Sequence, residues 1–422
     1  MSHTKRLIAL AAVALLAMAG CGGSSTPAND HVLRVAMGSP GEAQIRVWDN
    51  VAQQFMAAHP ETRVEMNYLQ ENLYGTTGLQ SLLSGSNPPD IYAEWTGNRL
   101  EARLAEGSVA DLTPSFASGG VLAGLFDDAT LSQYRIGGKA VMVPYSSDVS
   151  NVLWYNKQIL ADAGVQPPTT WDELLAACDT LNAKGIIPVA SGNMDLQSTG
   201  NWMAHMVSRV VGEASYATVL GGTGKFDTPE WEQAFGYITE LVDHACVNDS
   251  VNAIDENAGT QLFFQGKAAM YAAGSSLVAQ AIDEAPDLAF DFVNLPSMPG
   301  SAGRQGSVLG AATGYIVNAK SAKLTGATGF MALLNSDADV QALIGAGVTP
   351  LATSASAGVD VDNRTSRLKT LLDEAPAIVL PPDTSYDPKV ADAFYTAIAT
   401  ELGRQSSPSE ALAELDRTLG RQ

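Results

Sequence analysis

Cysteine is nearly missing from this sequence, at 3 of 422 residues, and there are only 5 histidines. No two histidines pair at the spacing that zinc or iron sites use, and the cysteines are too few and too far apart for a thiolate centre, so neither a metal nor a cofactor is expected. Basic residues are scarce as well: 24 Lys and Arg face 45 Asp and Glu, a formal charge of −21. A chain this acidic repels nucleic acid and anionic lipid, which argues against both as partners. The acidic residues are scattered rather than blocked, so otherwise they describe a solvated surface. Catalytic signatures are missing too: there is no G-x-S-x-G, no H-E-x-x-H and no P-loop. Ser366–Lys369 spells S-x-x-K, but neither S-D-N nor K-T-G accompanies it. A glycosidase needs only two carboxylates about 5 to 10 Å apart across a cleft. Spacing does not reveal such a pair, so an anchored hydrolase stays open as an alternative.

Long apolar runs are confined to the N-terminus. Lys5 and Arg6 precede a Leu/Ala/Val stretch from Leu7 to Met18, shorter than the roughly 20 residues a finished membrane helix needs, so it reads as an export signal. Met18-Ala19-Gly20-Cys21 resembles the bacterial lipoprotein signal, whose cysteine sulfur is lipidated before cleavage, and GGSSTPAND follows as a flexible tether. Residues 1–20 are then removed, Cys21 becomes the membrane anchor, and the remaining 402 residues carry −23 after losing Lys5 and Arg6. That length calls for two domains. Export places Cys178 and Cys246 in oxidising surroundings. Spacing gives no distance between them, so bonded and free states both stand.

Past the tether, strands alternate with helices. The β-branched run VLRVAMG (32 to 38) is followed by a segment in which Val47, Val51 and Phe55 recur on one helical face, then by the strand RVEMNYLQ. This βαβ rhythm predicts a parallel α/β sheet. Thr170 with Glu173, and Ser407 with Pro408 and Glu410, fit capping boxes, while Thr228-Pro229 places proline at a first helical position.

Residues 142–192 narrow the possibilities. Pro144-Tyr145, Tyr155-Asn156, Ala163-Gly164, Pro167-Pro168, Trp171, Glu173, Leu174 and Gly185–Pro188 occur in that order, with NPPDIYAEW (87 to 95), FFQGKAAMYAAGS (263 to 275) and LPSMPG (295 to 300) at matching distances. In these motifs the chain resembles the extracellular solute-binding proteins of ABC importers, in particular the large carbohydrate-binding family that includes maltose-binding protein. The resemblance runs from about Val32 to the end and implies two α/β lobes, each a mainly parallel sheet flanked by helices, joined by a hinge of several strands. It implies lobe 1 at 32–146 and 306–358 and lobe 2 at 147–305 and 359–422, with crossings near Tyr145–Asp148 and Arg304–Gly310. It also implies a monomeric, non-catalytic receptor on the outer face of the bacterial cytoplasmic membrane. Such a receptor closes on a sugar or oligosaccharide and delivers it to the permease. A polyol, a glycerol phosphodiester or a polyamine is the same-fold alternative.

A sugar offers an apolar face and a rim of hydroxyls, so its site needs flat rings and planar hydrogen-bonding groups. Trp48, Trp154, Trp171 and Trp231 fall in structural patterns. Trp95 instead ends a strand and precedes a loop, where α/β sheets place ligands, and Asn98 follows it. Trp202, beside Asn201 in the turn-rich QSTGNW, matches a second stacking position of the family. Glu42 in the first strand-to-helix loop, Asp148 in the crossing, and Gly274 and Ser275 after KAAMYAAG complete the polar set. The family often carries an aromatic at Ser275 or Ser276, which implies a ligand other than maltodextrin and leaves Tyr386 as the residue that would fill the gap.

Overall fold

The computed structural model describes residues 31–38, 41–69, 73–298, 300–356 and 363–421. The leader, Cys21, the tether up to residue 30 and the boundary at 358/359 lie outside these described residues. Strand β1 (Val32–Gly38) pairs in parallel with β2 (Arg63–Leu69) along its whole length and with β3 (Ile91–Trp95) on its other edge. The helix Glu42–Ala58 makes the crossover and buries Gln44, Trp48, Val51, Ala52 and Phe55, the stripe that a 3.6-residue period aims at the sheet. A short hairpin, β4 (Arg135–Ile136) with β5 (Lys139–Ala140), precedes β6 (Val143–Val149).

A second sheet follows at once. Strands β7 (Val152–Asn156), β8 (Ile187–Ala190), β9 (Ala268–Ala273) and β10 (Phe290–Val293) lie in the order β10-β7-β9-β8. Only β8 and β9 run parallel; β7 is antiparallel to both its neighbours. The two-lobed α/β architecture stands: each sheet is mixed, the first pairing mostly in parallel and the second mostly antiparallel.

The chain returns through β11 (Val308–Val317), antiparallel to β6 and β3, and β12 (Ile378–Val379) adds to the end of β11 in parallel. Val143 and Tyr145 belong to the first core and Val149 to the second; Val308 and Leu309 belong to the second and Tyr315 and Val317 to the first. β6 thus passes from one core to the other between Tyr145 and Val149, and β11 between Leu309 and Tyr315. Two glycines let these strands touch. A Cβ on Gly310 would sit 2.6 Å from the Asp148 carbonyl oxygen, and one on Gly314 would sit 2.7 Å from that of Val143.

The first core closes around Trp48, Phe55, Tyr315 and Phe330, and the second around Trp171, Trp202, Trp231 and Phe394. Phe394 comes from the C-terminal helix Pro388–Leu402, which packs in the second lobe. There the buried cysteines Cys178 and Cys246, 68 positions apart, are joined in a disulfide with a Cα separation of 5.1 Å. No helix among the described residues is long and apolar enough to cross a membrane.

Candidate ligand-binding site

Between the two cores lies a cavity of about 650 Å³. The crossing strands form its floor with Tyr145, Ser146, Asp148 and Thr313, and the ends of β1, β3 and β9 open onto it, as ligand sites in α/β sheets do.

The first-lobe wall is built around Trp95. The Arg99 guanidinium lies over its ring, 4.7 Å from the centroid, and both side chains line the cavity. Tyr74 stands 6.5 Å away between ring centroids, and its hydroxyl donates to the Ala93 carbonyl at 2.6 Å. Glu94, fully buried, accepts from Arg99 Nε at 2.9 Å and from Arg103 Nε at 3.0 Å, and Arg103 also meets Glu106 at 3.1 Å. Two carboxylates thus balance two guanidiniums. Deeper in, Gln44 Nε2 and Trp48 Nε1 both donate to the Tyr145 hydroxyl.

The second-lobe wall carries amides and carboxylates. Helix Gln197–Val211 presents Gln197, Ser198 and Asn201 to the cavity. It starts after Leu196, held at φ 67°, a left-handed conformation that costs a branched residue about 1 to 3 kcal/mol. Asn201 Nδ2 donates to Asp383 at 3.4 Å, and the Tyr395 hydroxyl lies 2.7 Å from Asn201 Oδ1 and 3.1 Å from Asp383 Oδ1. Gly200 admits that tyrosine, since a Cβ there would sit 2.4 Å from its ring. Gly274 and Ser275 line the cavity, with Ser275 N donating to the Val149 carbonyl at 2.9 Å.

Burial shapes the acids. Asp148 is pushed up to about 6 by desolvation, against a 3.3 Å hydrogen bond from Ser146 that lowers it. Glu256 is pushed up to about 7 by burial, then by the charges of Asp195, Asp255 and Asp383. Burial raises Asp383 as well.

Trp95, Asp148, Asn201, Gly274 and Ser275 therefore meet in one cavity, and four expected residues do not. Glu42 is exposed on the helix surface beside Arg46, 3.9 Å away, and Gln44, two residues on in the same turn, takes the cavity position. Trp202 is 1% exposed in the second core. Successive helical residues point about 100° apart, so the turn that aims Asn201 at the cavity aims Trp202 inward. Asn98 spends its amide on the Tyr386 carbonyl at 3.0 Å, a bond between the lobes outside the cavity. The Tyr386 ring packs edge-on against Tyr216, with centroids 6.1 Å apart. No tryptophan clamp forms, and the aromatic groups lining the cavity beside Trp95 are Tyr68, Tyr74, Tyr145 and Tyr315. Sequence reasoning also missed Gln44, Arg99, Glu256 and Asp383. The acids at 256 and 383 carry the ordinary signature of helix starts, which hides them.

The family described as bacterial extracellular solute-binding proteins matches residues 40–341. A curated relative from Pyrococcus horikoshii, an uncharacterised ABC transporter extracellular-binding protein, is 22% identical over 63% of this chain and 62% of its own length. A "probable sugar-binding periplasmic protein" of Rhizobium meliloti is 28% identical over 41% of this chain and 42% of its own length. The chain thus matches less than two thirds of the length of either relative. A solved structure from work on xylan utilization by Caldanaerobius polysaccharolyticus superposes with a TM-score of 0.81 at 21% identity, covering 92% of this chain and 99% of that one. Two α/β lobes, a cavity at their junction and a family match over most of the sequence lead to one assignment: the chain belongs to the bacterial extracellular solute-binding proteins.

Proposed function

We propose that the protein is the lipid-anchored receptor subunit of an ABC importer, which captures a sugar or oligosaccharide between its lobes and delivers it to the permease. The observation that carries this is the composition of the cavity: the Trp95 indole on one wall, and side-chain amides and hydroxyls from Gln44, Gln197, Ser198, Asn201 and Ser275 around it. A ring face and a rim of planar donors and acceptors match what a pyranose presents. The sugar-binding description of the Rhizobium relative points the same way.

Function then follows from closure. A ligand that touches both walls stabilises the closed arrangement, and the membrane partner recognises that arrangement. The Asn98 to Tyr386 hydrogen bond spans the two lobes and would favour the closed form. The cavity carboxylates act as acceptors rather than as an acid–base pair, ATP hydrolysis belongs to a separate subunit, and one chain suffices for capture. Cys21 holds the receptor at the outer face of the cytoplasmic membrane. The test is a thermal-shift screen of the chain lacking residues 1–21 against mono- and oligosaccharides and polyols. A sugar that raises the melting temperature and is recovered unchanged supports the proposal, since only the folded state binds. Consumption of the sugar, or stabilisation by polyols alone, would overturn it.

A further inference from the structure

We infer that the captured sugar is an amino sugar, whose ammonium docks against Glu256 and Asp383 on the second-lobe wall. This rests on the sugar assignment above and adds the charge of the ligand. Asp148, Glu256 and Asp383 all line the cavity, and no lysine or arginine among the described residues forms an ion pair with any of them. Among the described residues the one cation lining the cavity is Arg99; its charge reaches Asp383 and favours that carboxylate, but its ion pair is with Glu94 at 2.9 Å. The first-lobe wall is therefore balanced and the second is not.

Glu256 is the sharper case. Its backbone amide donates to Asp195, but no described residue donates a hydrogen bond to its side chain, although it is largely shielded from solvent and opens onto the cavity. Asp383 stands close enough to disfavour the ionisation of Glu256, and its own partners, Asn201 and Tyr395, are neutral. Closing the lobes on a neutral sugar would strip water from these carboxylates and return only hydroxyl donors. An ammonium supplies three donors and the missing positive charge together. The Trp95 indole on the opposite wall, and the amides of Gln44, Gln197 and Asn201 around the cavity, favour a ring over a linear polyamine.

The experiment is calorimetric titration at pH 6 of the chain from residue 22 with matched pairs of mono- and disaccharides. The β-1,4-linked glucosamine dimer is compared with cellobiose, which carries hydroxyl in place of ammonium, and glucosamine, galactosamine and mannosamine with their hydroxyl forms; spermidine is the acyclic control. An amino sugar is expected to bind at least about tenfold more tightly than its hydroxyl counterpart. Glu256→Gln and Asp383→Asn should each remove most of that preference without lowering the melting temperature. Equal or tighter binding of the hydroxyl forms would overturn the charge inference and leave the sugar assignment standing. Binding of spermidine alone, or of nothing in the panel, would overturn both.

Discussion

The two walls of the cleft are built on different principles. The first-lobe wall holds the Trp95 indole beside a closed set of charges, with Glu94 and Glu106 offsetting Arg99 and Arg103. The second-lobe wall holds amides and acids, with no cation among its described residues. The first wall is therefore complete without ligand and offers shape, whereas the second is electrostatically unfinished and offers charge. A two-lobed receptor can divide recognition in this way because the walls belong to separate cores and meet only on closure.

The largest expected effect separates Trp202 from Trp95. Trp202→Ala should cost about 3 to 5 kcal/mol of stability by denaturant unfolding, the usual price of a truncated core tryptophan, while protein that remains folded keeps its sugar affinity. Reducing the Cys178–Cys246 disulfide should cost about 4 kcal/mol, as its 68-residue separation implies, again without loss of affinity in the folded fraction. Trp95→Ala should do the reverse and weaken sugar binding by about 1 to 3 kcal/mol at an unchanged melting temperature. Loss of affinity in Trp202→Ala, or of stability in Trp95→Ala, would erase the distinction between wall and core.

The next effect concerns the unfinished wall. Because Glu256 titrates higher folded than unfolded, the folded state binds more protons, and Glu256 disfavours folding progressively as pH rises through about 4.5 to 7. Glu256→Gln should therefore stabilise the protein by about 1 to 3 kcal/mol at pH 8 and by nothing measurable at pH 4, in paired thermal melts. A pH-independent difference would mean that the wall is not electrostatically strained. The smallest effect is Asn98→Ala, which removes one bond between lobes and should favour opening by about 0.5 to 1.5 kcal/mol, visible as a larger radius of gyration in solution scattering.

Much of the fold was legible in the sequence where local chemistry decides. Thr170 and Glu173 form both bonds of a capping box, as do Ser407 and Glu410, and Pro229 begins its helix. Trp95 was legible because a strand end is a local feature. The orientation of Trp202 was not, because the polar stripe of its helix, Asn201, His205 and Arg209, continues into the interior, where His205 and Arg209 are as buried as the apolar residues, so polarity does not separate the cavity side from the core. Asn98 and Tyr386 were misplaced for another reason: they meet across 288 positions of sequence. Asp383 was passed over for the nearby Tyr386, since ring chemistry is conspicuous in a sequence and an acid at a helix start is not.

Tyr395 has a consequence for the order in which the receptor comes into being. Its hydroxyl positions both Asn201 and Asp383, and its ring fills the space left by Gly200. The polypeptide leaves the ribosome from its N-terminus, so the indole wall can be finished while the opposing wall still waits for the last few dozen residues. Ligand capture therefore switches on only at the end of synthesis and export, and a chain clipped before residue 395 keeps one hand of the receptor without the other.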